Sequence, residues 1–193
     1  MRTIFFVLGC LSEYQGRLIV EGGDLVERLL GDEQDRVDVF RSHLVKLAEE
    51  RGITTAIGEE TEEGCTSFYS PELRELIDGC YEVDFSNSPF ITLDPEPRRA
   101  EARISKKAFE DQGNEEKLSY LAGAYARHGH GNTFRLANAR HKAEVVADLL
   151  RELGCRGVTL SLTNPGYAPS IHEVGFEPSE DVARWLQPYR RQG

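Results

Sequence analysis

The chain has 193 residues and a mass of 21.7 kDa, with 39% apolar residues, 29% charged residues and a mean hydropathy of −0.45. These values exclude a membrane-embedded protein, and the 9 Phe, 7 Tyr and 1 Trp supply enough apolar area to exclude a disordered chain. The net charge of −10 repels nucleic acids and anionic membranes at long range, so no membrane partner is expected and a polyanion would need a locally basic segment.

The cysteines and the N-terminus indicate a cellular compartment. The four cysteines form no CxxC pair, which argues against a zinc knuckle or a disulfide framework. An apolar run begins after Arg2 and ends at Cys10, and it is far shorter than the roughly 15 to 30 residues of a secretory signal. We therefore expect a cytoplasmic protein.

The first half of the chain predicts short strands alternating with helices. Residues 3–8 form an apolar run typical of a buried strand. Apolar residues at helical spacing predict a short helix over 25–30 and a longer one that contains Val37 and Leu47 and ends at Gly52. The remaining elements predicted here are strands over 17–20 and 53–57, an exposed acidic loop over 59–63, a helix beginning at Ser70, and a hairpin of strands 81–85 and 90–94.

The second half follows a proline-rich stretch at 94–97, which we interpret as the boundary between an acidic N-terminal part, 1–97, and a basic-to-neutral C-terminal part, 98–193. These parts form one compact unit or two closely packed subdomains, and no internal repeat is expected. The predicted elements are helices over 114–128, 139–153 and from Pro178, and strands over 133–136, 158–162 and 171–176.

These elements predict an α+β fold, in which helices pack on a mixed β-sheet. Residues 132–163 form a strand-helix-strand unit, whose two strands are expected to be parallel neighbours. A hairpin and a final helix complete the C-terminal part.

The charge is unevenly distributed along the chain, with a net −13 over residues 1–97, +5 over 98–142 and −2 over 143–193. The basic segment predicts a surface patch for a polyanion such as nucleic acid, although internal or dimer ion pairs explain such a run equally well. The patch residues are Arg98, Arg99, Arg103, Lys106 and Lys107. The sequence is compatible with a homodimer.

A second predicted site lies where the strand over 133–136 meets the following helix. Free backbone N–H groups at a helix start favour an anion, such as the phosphate of a small molecule. The side chains expected to surround this ligand are Arg135, Asn138, Arg140, His141, Lys142, Thr163 and Asn164.

The histidines are the densest chemical signal in the sequence. His128 and His130 alternate with glycines, and His141 with Asp148 would complete an N/O site for zinc, iron or manganese. A polar loop explains the same residues. We expect no metal site, because the strand over 133–136 separates His141 from the other two histidines.

One short segment resembles a known family. Leu121–Gly129, with the sequence LAGAYARHG, resembles the core helix of LAGLIDADG homing endonucleases in its Leu-Ala-Gly start and final Gly. The metal-binding acidic residue that the motif requires near its end is replaced by His128, and no second copy is visible. The resemblance thus covers nine residues and does not predict nuclease activity.

Two functional hypotheses follow. The favoured one is a non-catalytic module that needs no cofactor and binds a phosphate-bearing ligand or polyanion through residues 98–142. The alternative is a metal-dependent hydrolase, similar to a phosphoesterase, that uses His128, His130 and His141.

Overall fold

The computed structural model describes residues 1–14, 16–20, 22–83, 99–104, 107–110, 112–166 and 168–190. The chain divides into two compact units, a larger unit of Met1–Gln15 with Lys106–Gly193 and a smaller unit of Gly16–Ser105. The predicted boundary after residue 97 and the predicted strand over 90–94 lie outside the described residues. The division of the sequence at residue 97 therefore stays a prediction.

The larger unit combines helices with one antiparallel sheet. Its helices are α1 (Thr3–Cys10), α4 (Lys107–Glu110), α5 (Asn114–His128), α6 (Arg140–Glu152) and α7 (Glu180–Leu186). Its strands are β7 (Gly129–His130), β8 (Thr133–Ala137), β9 (Arg156–Thr163) and β10 (Ile171–Glu177), in the order β7-β8-β10-β9. Alternation along β8 and β10 buries Phe134, Leu136, Val174 and Phe176 on one face of this β7–β10 sheet.

The smaller unit holds two three-stranded sheets. Its elements are β1 (Arg17–Val20), β2 (Leu25–Leu29), α2 (Gln34–Arg51), β3 (Gly58–Glu62), β4 (Cys65–Tyr69), α3 (Pro71–Asp78), β5 (Tyr81–Val83) and β6 (Arg99–Ile104). The strand orders are β2-β4-β3 and β1-β6-β5. As predicted, the Ser70 hydroxyl accepts a hydrogen bond from the Leu73 amide at the start of α3, and Gly52 follows α2 with a left-handed φ of 66°.

The same order of elements occurs twice along the chain. The run α1-β1-β2-α2-β3-β4-α3 and the run α5-β7-β8-α6-β9-β10-α7 both read helix, strand, strand, helix, strand, strand, helix. The sheet orders β2-β4-β3 and β8-β10-β9 also correspond. This repetition lies in the topology and was not expected from the sequence.

The structure confirms the α+β class, with the unit β8-α6-β9 followed by the β9–β10 hairpin and helix α7. The predicted parallel pairing of β8 with β9 is wrong. Strand β10 lies between them and pairs antiparallel with both, because the β9–β10 hairpin places its second strand, and not its first, beside β8.

Four predicted elements of the first half are also wrong. Residues 53–57 form no strand and belong to the connection between α2 and β3. Residues 3–8 belong to helix α1, which is apolar all round because nearly all of it is buried. Residues 25–29 form β2, where a β-bulge between Leu25 and Glu27 leaves Val26 and Leu29 both buried and so imitates helical spacing. The acidic residues from 59 onward form most of strand β3, which pairs with β4 and is exposed along its whole length.

Within the described ranges, no helix has the length and apolar character that crossing a bilayer requires.

Candidate functional site

The larger unit is centred on a very close contact between helices α1 and α5. Gly9 of α1 lies against the Tyr120 carbonyl, and Gly123 of α5 lies against the Phe6 carbonyl, so that a Cβ at either glycine would overlap backbone atoms. The Cys10 thiol donates a hydrogen bond to the Gly123 carbonyl at 3.2 Å. Gly9 and Gly123 correspond to each other in the two halves of the topology, and so do Phe6 and Tyr120. The contact therefore has approximate two-fold symmetry.

Cationic side chains cap the C-terminal end of α1. Arg127 Nη1 donates to the Cys10 carbonyl at 2.9 Å, and Lys142 Nζ donates to the carbonyls of Leu8, at 3.4 Å, and Leu11. The carbonyls at the end of a helix lack helical partners and carry partial negative charge, so that these contacts stabilise the helix end.

Lys142 also forms a buried ion pair with Glu13. The Lys142 ammonium lies 3.6 Å from Glu13 Oε1, and the two side chains are 0% and 2% exposed. The ammonium is 5.7 Å from the centre of the Tyr120 ring. Burial, together with the Glu13 charge, raises the pKa of Tyr120, whose buried hydroxyl has no hydrogen-bond partner in the described part of the chain.

The outward face of the β7–β10 sheet is polar and exposed. Cross-strand register brings Arg135, Glu173 and Ser161 into one row, and places Thr133 and Thr159 in the next. Arg135 Nε lies 3.5 Å from Glu173 Oε2, and the Arg135 side chain remains 60% exposed. This face therefore offers hydroxyl groups, the Arg135 guanidinium and the Glu173 carboxylate to solvent.

The side chains predicted to form the anion site make separate hydrogen bonds and ion pairs with different neighbours. Asn138 donates to the Tyr14 hydroxyl and accepts from the Ser170 amide, and Arg140 pairs with Glu144 at 2.8 Å. The Asn164 side chain accepts a hydrogen bond from the Gly166 amide in its own turn. His141, like Arg140, lies in the first turn of α6.

Thr163 lies at the same end of the sheet as Ala137, but Ile171 of β10 separates them. The strands are therefore two spacings, or about 10 Å, apart at this point. The shared cleft expected from neighbouring parallel strands is absent in these described strands. Lys142, the only one of the predicted residues that is fully buried, faces the end of α1 instead.

The predicted polyanion patch lies partly outside the described residues, which include neither Arg98 nor Lys106. Arg99 and Arg103 are on β6 in the smaller unit, with Arg103 exposed and opposite Glu82. Lys107 begins α4 in the larger unit.

The predicted metal ligands do not form a cluster. His128 Nε2 lies 3.4 Å from the Leu11 carbonyl, His130 is on β7, and Asp148 pairs with Arg151 at 2.8 Å. In the part of the chain that the structure describes, no three His, Cys, Asp or Glu side chains are placed to hold a metal ion.

Solved structures with a similar fold cover nearly the whole chain. The chain matches the structure of I-DmoI in complex with DNA and calcium with a TM-score of 0.63, over 99% of this chain and 93% of that chain, at 12% identity. It matches mesophilic variants of the homing endonuclease I-DmoI with a TM-score of 0.62, over 99% and 97% of the two chains, at 13% identity. A complex of I-DmoI with DNA and manganese gives 0.56, over 96% of each chain, at 13% identity.

No protein-family model matches the chain, and no curated protein matches it in sequence. At the identities of the structural matches, the likeness shows the fold alone.

This likeness overturns the favoured functional hypothesis drawn from the sequence. A non-catalytic anion-binding module on residues 98–142 is wrong, because the whole chain has the fold of a DNA endonuclease and this segment is divided between the two units. For the alternative hydrolase, the described residues bring no three metal-binding side chains together at His128, His130 and His141. The fold similarity to a homing endonuclease includes α5, which contains residues 121–128, and α1, on which α5 packs.

The end of the α1–α5 pair does not fit a divalent metal ion. His128 stands where the motif requires an acidic residue, and the nearby Glu13 carboxylate is paired with the Lys142 ammonium. Arg127 and Lys142 occupy carbonyl oxygens that a hard cation would use as ligands. Positive side chains thus fill the place where the motif would hold a metal, and no metal-dependent step follows from this arrangement.

Proposed function

We propose that this protein binds double-stranded DNA through the outward face of the β7–β10 sheet. The observation that carries the proposal is the character of this face, which is exposed and rich in hydroxyl groups and presents Arg135 at its centre. The fold similarity supports it, because several of the matched structures are described as complexes with DNA.

The chemistry of the face suits the grooves of a duplex. A two-stranded β-ribbon fits the major groove, where hydroxyl groups can donate to or accept from base edges and an arginine can donate two hydrogen bonds to guanine. Thr159, Ser161 and Thr163 project from β9 on this side, and Thr133 and Arg135 project from β8.

The distribution of charge also favours the larger unit as the DNA-binding part. The larger unit has 13 basic and 12 acidic residues, a net charge of +1, while the smaller unit has 10 and 21, a net charge of −11. Phosphate groups are repelled by the smaller unit and much less by the larger one. The proposal concerns binding, and strand cleavage is not part of it.

Replacing Arg135 with alanine is expected to weaken duplex binding about tenfold, because one arginine contact to a guanine contributes roughly 1–3 kcal/mol. Fluorescence anisotropy with a pool of labelled random duplexes, at about 50 mM salt, measures this effect. The matched control is Arg151→Ala, which removes an exposed arginine from α6 that pairs with Asp148. Binding that is absent in the wild type, or that falls equally in both variants, would contradict the proposal.

A further inference from the structure

Strand β9 is an open edge of the β7–β10 sheet. It is last in the strand order, and the described residues include no strand on its outer side. Residues 157–163 carry no charged side chain and no proline, and the irregularity in the pairing of β9 with β10 lies before Thr159. Proteins usually protect such edges with charges, prolines or bulges. The corresponding edge strand β3 follows that rule, because it carries Glu59, Glu60 and Glu62.

An apolar stripe runs along this edge. Leu160 lies opposite Val174 and Leu162 lies opposite His172, both of which are buried, so the two leucines belong to the core side of the sheet. They are nevertheless 40% and 58% exposed. The stripe is thus the uncovered margin of the core of the larger unit.

The sequence of β9 is self-complementary about its centre. Val158 and Leu162 each lie two residues from Leu160, and Thr159 and Ser161 each lie one residue from it. An antiparallel strand with the same sequence, paired so that Leu160 faces Leu160, would bring apolar residues together on one face and hydroxyl residues together on the other.

We propose that β9 pairs with β9 of a second copy of this chain, antiparallel and about a two-fold axis at Leu160. The contact is isologous and joins the two β7–β10 sheets into one continuous sheet. Val158 and Leu162 of each copy then cover the apolar margin of the other.

Charge favours a second copy at this edge. Each copy carries a net charge of −10, most of it in the smaller unit, so two copies repel one another except where neutral surfaces meet. The larger unit has a net charge of +1, and residues 157–163 have none. This proposal does not depend on DNA binding, because the backbone groups at the edge of β9 and the apolar stripe belong to the chain itself.

Sedimentation velocity over a concentration series tests the proposal on the full chain. The wild type is expected to shift from monomer to dimer with increasing concentration. Leu160→Lys places two ammonium groups opposite each other at the axis and is expected to raise the dissociation constant at least about tenfold. The control Leu30→Lys introduces the same charge at a leucine that is 54% exposed in the smaller unit, and dimerisation should not change.

Disulfide trapping tests the register. Cross-strand partners have Cβ atoms about 4.5–5.5 Å apart, close to the separation in a disulfide, so Leu160→Cys should cross-link two copies on oxidation. Ser161→Cys is the control, because Ser161 would face Thr159 of the second copy. Both variants are made with Cys65, Cys80 and Cys155 replaced by serine.

Cross-linking of Leu160→Cys alone supports the proposal, as does a dimer that Leu160→Lys disrupts. A wild-type monomer at every concentration would overturn it and leave an extended segment of a different protein as the occupant of the edge. A dimer that tolerates Leu160→Lys, or equal cross-linking of the two cysteine variants, would also overturn it.

Discussion

Replacing Lys142 with methionine is expected to lower the free energy of unfolding by about 3–5 kcal/mol, because the change removes the buried ammonium that neutralises the Glu13 carboxylate. The carbonyls of Leu8 and Leu11 lose a donor at the same time. Urea unfolding followed by circular dichroism at neutral pH measures the loss.

Two variants separate this effect from a general sensitivity of α6. Arg140→Met removes an exposed pair with Glu144, two residues earlier on the same helix, and is expected to cost about 0.5 kcal/mol or less. The double variant Lys142→Met with Glu13→Gln should recover about 1–3 kcal/mol, the coupling typical of contacting residues. A loss below about 1 kcal/mol in Lys142→Met, or additive effects in the double variant, would show that the pair is not buried as described.

Gly123→Ala is expected to destabilise the chain by about 3 kcal/mol, at the upper end of the cost of overpacking. The added Cβ would overlap the Phe6 carbonyl, a backbone group that cannot rotate away as a side chain can. Gly9→Ala meets the Tyr120 carbonyl and should behave in the same way. Urea unfolding again gives the values.

The matched control for this pair is Gly166→Ala. Gly166 has a φ of 80° and no atom within 4 Å of an added Cβ, so only backbone strain of about 1 kcal/mol is expected. If Gly123→Ala lowers the free energy of unfolding no more than Gly166→Ala does, α1 and α5 do not make the close contact described here.

Local signals in the sequence were sufficient for much of the fold. The start of α3 was predictable because Ser70 and Pro71 suit a helix N-terminus, and the end of α2 because Gly52 tolerates a left-handed φ. The α6 helix and the β9–β10 hairpin were predictable from periodicity and from the turn residues between the strands.

The elements that failed depend on distant contacts. Helix α1 is a short apolar run that could be a strand or a helix, and its packing on α5, more than 100 residues away, favours the helix. The pairing of β8 with β10 rather than β9 is set by the hairpin and has no signature in either strand.

The close contact between α1 and α5 was missed, because the sequence analysis concentrated on single histidines and basic residues. The decisive signal was a pair of glycines, Gly9 and Gly123, each preceded by an aromatic residue three positions earlier, Phe6 and Tyr120. A search for two similar helices would have found it. That Lys142 is buried beside Glu13 could not be read from sequence, since the two are separated by most of the chain.

Titration of the isotopically labelled protein with a short duplex DNA, followed by nuclear magnetic resonance at low salt, tests the proposed function most directly. We expect the largest shifts at the outward residues of β8, β9 and β10, including Arg135 and Ser161, and little change on the exposed side of α6 around Arg151. An absence of shifts, or shifts confined to α6 or to the smaller unit, would contradict the assignment of this sheet as the DNA-binding surface.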